Sequence, residues 1–354
     1  MWKSCTRVLL TMKTSTMTKI LIKSESRSNT PWTNVANATP LQKGLDKAVK
    51  TTYEFKHKPI LNKSELNIFN SVVITKCRYC GCNSFIKNGK TPDGLQKYKC
   101  KNCFKTFTII THTIFDSHKI PLSEWVDFLR NIFSFQSFDS TSRNNGNSIN
   151  TTRYWISKVF LTLRGYQDNI LFTGTIELDE TYYNAIKADI QYKENGKKYR
   201  GLSRNKYCIG VMLNEEGKVF CFNQGLKGKP SIKSTLDCFK DHIEYGSTLI
   251  HDAELSHRKL VEVLGLKEEV YFTNEIKYLK DSDNPLFRIN KVHFLLKKFL
   301  NAHCGFNREH LQDYLNLFSF IINTPSSYIE KIEIFLKLVF ENSILLRYRD
   351  KMPK

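Results

Sequence analysis

The sequence contains no long hydrophobic run. No stretch of about 18 apolar residues occurs among its 354 positions, so no membrane-spanning helix is expected. The N-terminal MWKSCTRVLLTMK is positively charged, but its apolar run VLL is too short for a secretory leader. No internal repeat is present. Nor is there a disulfide framework. Of ten cysteines, four sit in two close pairs and the rest are scattered. That pattern indicates metal binding plus isolated thiols in a reducing compartment. Acidic residues are scarce at the front: residues 1–110 hold 20 Lys and Arg against 5 Asp and Glu, whereas the remainder holds 34 against 29.

A basic front end on a balanced body suggests a polyanion-binding module joined to a working domain. The length suggests two or three domains, and 41% hydrophobic residues is ordinary for a soluble globular chain. Residues 1–70 are rich in Ser, Thr, Asn and Lys with little periodicity. They are expected to form a flexible basic tail with a short helix near Thr39–Val49.

Residues 71–112 change character. Cys77 and Cys80 form one C-x-x-C pair and Cys100 and Cys103 another, with 19 residues between the pairs. Four thiolates at this spacing predict a closed tetrahedral Zn²⁺ site, structural rather than catalytic. The intervening NGKTPDGLQKYKC reads as a hairpin. Cys82 reads as a spare thiol. Lys76, Arg78, Lys87, Lys90, Lys97, Lys99, Lys101 and Lys105 decorate this zinc ribbon. Such a basic ribbon contacts nucleic acid or docks a protein.

Residues 118–168 read as helical. In PLSEWVDFLRNIF, Leu122, Trp125, Val126, Leu129 and Phe133 share one face. A short segment around Phe138–Arg143 follows, then the polar turn NNGNS. The helix INTTRYWISKVFLTLR has Ile149, Tyr154, Trp155, Val159 and Leu163 as core candidates. The order suits a helix-turn-helix that contacts DNA, or any small three-helix unit.

From Thr173 strands and helices alternate. Three antiparallel strands (TGTIELDETYY, NKYCIGVMLN, GKVFCFN), a helix (SIKSTLDCFKDHI), a strand (STLIHDAELSH), a short strand (EEVYFT) and two long helices match the order of a ribonuclease H-like fold over 172–325. Residues 326–354 complete the chain as a helical tail. The expected fold class is multidomain α+β and α/β.

Acids on the first of these strands are costly unless something positive meets them. The order makes that strand central and places STLIHD beside it, so Asp179 and Asp252 can face each other across about 5 Å. Two such carboxylates need a divalent cation, or they cap strands and pair with lysines. Mg²⁺ or Mn²⁺ held there would polarise a phosphodiester and activate water or a 3′-hydroxyl. Glu177 shares the face of Asp179, whereas Glu180 points away. Glu254 is a further candidate. Arg200, Arg204 and Lys206 form either a solvated loop or a phosphate contact.

Together these residues resemble bacterial insertion-sequence DDE-type transposases with an N-terminal zinc ribbon, over roughly residues 72–324. The carriers are the ribbon cysteines, LDETYY, RGLSRNKYCIGV, LIHDAELSH and NPLFRINKVHFLLKKFLNAHCGFNREHLQDYLNLFSFIIN. The resemblance implies a ribonuclease H-like core with two divalent ions, cleavage and strand transfer at element ends, and Asp179 and Asp252 as the first two catalytic acids. At the third position the common form has a helical Glu followed seven residues later by Lys. This chain has Asn290 and Lys297, as in a branch with Asn there. An amide oxygen can bind Mg²⁺ but brings no charge. His293, on the same side, is expected to contact DNA or solvent. The implied partners are double-stranded DNA (element ends and target) and further copies of the chain in a synaptic complex. A cytoplasmic, nucleoid-associated location is implied as well. The rival reading is a non-catalytic DNA-binding or regulatory protein on a decayed transposase scaffold.

Overall fold

The computed structural model describes residues 39–41, 43–45, 47–48, 63–116, 122–186, 190–197, 205–226, 228–303 and 305–341. Most of the expected tail, Pro121, Arg200, Arg204 and residues 342–354 lie outside the described residues. The described part of the short helix expected near Thr39–Val49 is helical. The chain divides into two compact units, residues 1–156 with 339–354, and residues 157–338. No described helix is long and apolar enough to cross a membrane.

The first unit begins with helix α1 (Lys63–Ser71) and a three-stranded antiparallel sheet, β1 (Phe85–Lys90), β2 (Gln96–Cys100) and β3 (Thr106–Phe107). So small a sheet has little core of its own. Phe85, Tyr98 and Phe107 meet edge-on or stacked on one side of it, and the cysteines lie at its end.

Helices α2 (Leu122–Phe133), α3 (Phe138–Asn145) and α4 (Ile149–Leu163) follow. Trp125, Phe128, Leu129 and Ile132 of α2 are buried, and Trp125 stacks on Trp155 at 4.5 Å. This shifts the face expected from sequence. Val126, Ile149 and Tyr154 are only half-buried, while Phe128 and Ile156 belong to the core. The local signals for α3 are explicit. Ser137 caps its first turn by accepting from the Ser140 N–H, and Gly146 ends it at φ 66°, a left-handed conformation that costs glycine little.

The second unit is built on a mixed five-stranded sheet in the order β6-β5-β4-β7-β8. β4 (Thr175–Asn184), β5 (Lys206–Asn214) and β6 (Val219–Leu226) are antiparallel; β7 (Thr248–Asp252) and β8 (Lys267–Tyr271) run parallel to β4. β4 is therefore central and covered on both faces, which explains its near-continuous burial. Its Ile176 and Leu178 join Phe172, Met212, Phe220, Leu249 and Leu260 in one core.

Helix α5 (Ile232–Phe239) lays Phe239 over Gly210 of β5; a Cβ at Gly210 would meet that buried ring. Helix α6 (Arg258–Leu264) links β7 to β8. Helix α7 (Phe287–Ala302) packs on β4 and β5 through Ile289, Val292, His293, Leu296, Phe299 and Leu300. Helix α8 (Leu311–Asn323) covers β6, where the Ser319 hydroxyl donates to the Val219 carbonyl at 2.6 Å. Helix α9 (Tyr328–Glu341) closes the described chain.

Candidate active site and metal centres

The β4–β7 register carries the site. Leu178 lies opposite His251, so Asp179 and Asp252 are the next residues along two adjacent parallel strands. Both are half-buried. Burial pushes the Asp179 carboxyl up to about 7, with the charges of Asp252 and then Glu180 adding to the effect. Each acid accepts a backbone N–H: the Glu180 N–H donates to Asp179 Oδ1 at 2.8 Å, and the Glu254 N–H donates to Asp252 Oδ1 at 3.1 Å. No Lys or Arg forms an ion pair with either aspartate among the described residues. A carboxylate crowded by other carboxylates, and without a cation of its own, is suited to a divalent ion.

Glu177 and Glu180 take the opposite faces that strand alternation assigns them. Glu177 is tied to the start of α7. Its carboxylate accepts from the Ile289 N–H at 3.0 Å and meets Arg288 at 3.3 Å. Burial raises its carboxyl, and Arg288 and the Ile289 N–H oppose that rise. Arg288 also donates to the carbonyls of Asn214 and Glu215, which fixes the helix start against β5. Glu180, on the other face, pairs with buried His257 at 3.1 Å. Glu254 is held by Lys229 at 2.7 Å.

Helix α7 places His293 beside the acids. Its Nδ1 lies 3.8 Å from Asp179 Oδ2, and the residue is 7% exposed. This corrects the expectation of a solvent or DNA contact. His293 falls on the apolar stripe of α7 between Ile289 and Leu296, a periodicity visible in the sequence. Burial pushes its imidazole down to about 3, helped by the Lys297 charge one turn on. Its Nε2 is buried with no hydrogen-bond partner. Asn290 and Lys297 are exposed on α7, and no hydrogen bond or ion pair joins either to Asp179 or Asp252 among the described residues.

Sequence reasoning missed His251 and His257. Both are buried, their Nδ1 atoms are 3.0 Å apart, and His251 Nε2 reaches Glu268 at 3.0 Å. The only sequence signal was LIHDAELSH itself, with a histidine on either side of Asp252.

In the first unit, Cys77, Cys80, Cys100 and Cys103 converge, all four sulfurs within 4.8 Å of one another. Cys77 and Cys103 are 3.7 Å apart and Cys80 and Cys100 3.6 Å. Tetrahedral zinc with bonds of about 2.3 Å needs sulfurs about 3.8 Å apart, so the four fit that ion. Backbone N–H groups support thiolates: Tyr79 donates to Cys77 at 3.4 Å, and Asn102 and Cys103 donate to Cys100 at 3.3 Å. Burial pushes the Cys100 thiol up, yet the Cys103 N–H and the Cys82 thiol bring it to about 6. Cys82 approaches Cys100 at 3.2 Å but stands outside the cluster of four. Lys76, Lys87, Lys90, Lys99, Lys101 and Lys105 are exposed around the ribbon and Lys97 is half-buried. Arg78 is a correction: it is 6% exposed, so it is no part of the basic surface.

No family model matches the chain, and no curated protein matches it. Partial likenesses to solved structures exist. A simian T-cell lymphotropic virus intasome in complex with PP2A regulatory subunit B56 gamma aligns at 13% identity over 52% of this chain and 62% of that one, with a TM-score of 0.26. A pre-cleavage Mos1 transpososome aligns at 12% identity over 60% of this chain and 76% of that one, with a TM-score of 0.20. A Drosophila P element transposase strand transfer complex aligns at 12% identity over 59% of each chain, with a TM-score of 0.24. The alignment thus spans under two thirds of the intasome and P element chains. Overlap at this level decides no chemistry.

Proposed function

We propose that this protein is a DNA transposase of an insertion sequence, cleaving DNA at element ends and joining it to a target. The observation that carries this is the pair Asp179 and Asp252 on adjacent parallel strands at the centre of a sheet ordered β6-β5-β4-β7-β8. That strand order supports a ribonuclease H-like domain. The chain's net charge of +20 supports a polyanionic substrate.

Asp179 and Asp252 would hold the catalytic divalent ion. Mg²⁺ or Mn²⁺, when bound, supplies a Lewis acid toward a phosphodiester and an acidified nucleophile. The remaining work falls to the protein. Glu177 locks the start of α7 to β4, and so sets where that helix stands relative to Asp179. His293, kept neutral by burial, adds no competing charge beside the carboxylate. Lys297, exposed one turn further, would meet a phosphate of the scissile strand. Asn290, the third residue of the proposed set, offers an amide oxygen to the same face of α7. The ribbon, with structural zinc on Cys77, Cys80, Cys100 and Cys103, and helices α2 to α4 would grip the element end. Joining two ends calls for more than one copy of the chain.

One observation favours the alternative, a non-catalytic DNA-binding or regulatory protein on a decayed transposase scaffold. Asn290 is exposed and unlinked to the acids, while the α7 side chain nearest Asp179 is buried His293 rather than a carboxylate. The two readings separate in a cleavage and joining assay on DNA carrying the element's own flanking ends, with Mg²⁺ or Mn²⁺. A transposase gives metal-dependent nicks at the ends that are lost in Asp179→Asn and in Asp252→Asn, with end binding retained. Binding without any cleavage in the parent protein supports the regulatory reading.

A further inference from the structure

His251 is the penultimate residue of β7, and His257 lies in the turn that leads into α6. The first is 3% exposed and the second 0%. Each ring is anchored at its far nitrogen. His251 Nε2 meets Glu268 Oε1 at 3.0 Å, and His257 Nε2 meets Glu180 Oε1 at 3.1 Å. A carboxylate only accepts, so each Nε2 carries its proton. Each neutral ring must then present a bare lone pair at Nδ1. With both rings neutral, those two lone pairs face each other at 3.0 Å. Such an arrangement is repulsive unless something electron-poor lies against both.

The third group is Asp252. A carboxylate oxygen of Asp252 and one nitrogen from each histidine lie within 4.8 Å of one another. Two imidazoles and one carboxylate are a facial donor set for a borderline divalent ion. An ion with metal–nitrogen bonds of about 2.1 Å and adjacent ligands at right angles sets those nitrogens about 3.0 Å apart, the spacing observed. Tetrahedral geometry would spread them further. The outer carboxylates on Nε2 are what metal-bound histidines ordinarily have, because they fix the tautomer and raise the basicity of the donor nitrogen. Here that outer shell is complete on both rings.

We propose that His251 Nδ1, His257 Nδ1 and the Asp252 carboxylate form a binding site for an octahedral divalent transition-metal ion such as Mn²⁺, Fe²⁺ or Co²⁺, distinct from the Asp179–Asp252 seat and sharing Asp252 with it. This deepens the strand-cleavage reading and rests on it only for the role of Asp252. The ion would tie the end of β7 to the following turn and hold the Asp252 carboxylate in one orientation for the neighbouring seat. A surface-facing Glu268, 42% exposed in its side chain, gives the assembly an outer edge.

Co²⁺ is the probe. The full-length chain is stripped of metal and titrated with Co²⁺ while absorbance and proton NMR are followed. The ribbon cysteines give thiolate charge-transfer bands. The proposed site adds a second class of Co²⁺ without such bands and with two exchangeable, far-shifted imidazole N–H signals, one from each retained Nε2 proton. His257→Gln and His251→Gln should each abolish that pair of signals and keep the thiolate bands. Glu268→Gln, a change at a half-exposed side chain, should weaken the second class by about tenfold or more and guards against misfolding of the histidine variants. Asp179→Asn should keep both N–H signals while losing cleavage, so failure of this site and failure of the cleavage reading are distinguishable. Uptake of the ribbon equivalent alone, or two N–H signals that persist in His257→Gln, overturns the proposal. The first result would mean that only a proton sits between the rings.

Discussion

The cysteine ribbon and the acidic centre of the sheet are both proposed as metal-ligand clusters, and they are built in opposite ways. The four cysteines fall within 27 residues of one another along the chain, and their sheet has hardly any apolar interior. Asp179 and Asp252 are brought together from positions 73 residues apart by a sheet whose core is already complete without them. In the first region the proposed ion would take the place of a core. In the second the core would hold a place for it. The ribbon should therefore depend on metal for its fold, and the sheet should depend on metal only for its chemistry.

The largest effect expected is on the ribbon. Cys100→Ser, or zinc removal by a chelator, should unfold residues 71–112 and release about one zinc per chain, while far-UV signals of the sheet unit persist. Metal analysis with proteolysis of the ribbon checks this. A ribbon that stays folded after losing zinc would erase the contrast.

Next comes a change that should strike the sheet alone. Gly210→Ala drives a methyl group into the buried Phe239 ring, and overpacking of this kind costs about 1–3 kcal/mol. Denaturant unfolding of the second unit should report that loss with ribbon zinc unchanged.

A smaller, pH-dependent effect also separates the regions. Burial pushes His303 down to about 4, so between the ordinary histidine range and pH 4 the unfolded chain binds the extra proton. Stability of the sheet unit is then lost as pH falls through that window, by about 1.4 kcal/mol per pH unit for one such group. Asp179, raised to about 7, has the opposite sign: its protonated form is favoured in the fold, and stability is lost as pH rises toward 7. In the parent chain the two partly cancel. Asp179→Asn should therefore steepen the acid destabilisation, and His303→Phe should flatten it, because buried His293, held down at about 3, still opposes Asp179 over the same window. Thermal melts of both variants between pH 4 and 7 measure this.

The smallest effect is electrostatic. Lys87, Lys90, Lys99 and Lys101 are exposed on the ribbon. Replacing them by Gln should lower the slope of log affinity against log salt by about 0.9 for each one that meets a phosphate. An unchanged slope would move DNA binding off the ribbon.

The same contrast explains what could be seen in the sequence. The two C-x-x-C pairs announce their cluster because knuckle turns are local, and the Asp179–Asp252 pairing follows from strand order because a parallel neighbour of a central strand leaves little choice of register. The His251–His257 contact was hidden. It requires the chain after β7 to double back over the strand end, and six residues of turn carry no periodicity to reveal that. His293 was legible but misassigned: its neighbours Ile289, Val292 and Leu296 mark the buried stripe of α7, and helical spacing toward Asn290 drew attention to the exposed side instead. Arg78 likewise read as surface charge because a single residue inside a basic segment has no pattern of its own. The start of α3 at Phe138 was legible, by contrast, but its end, expected at Arg143, lies two residues on at Asn145, where Gly146 caps it.

The central claim is that Asp179 serves a metal ion rather than the fold. It is tested most directly by measuring melting temperature in the absence of metal and Mn²⁺-dependent end cleavage on the same preparation of Asp179→Asn. Removing a carboxyl that is crowded by Asp252 and Glu180 should leave the melting temperature equal or raised at pH 7 and reduce cleavage by orders of magnitude, with end binding intact. A lower melting temperature together with full cleavage would contradict the account.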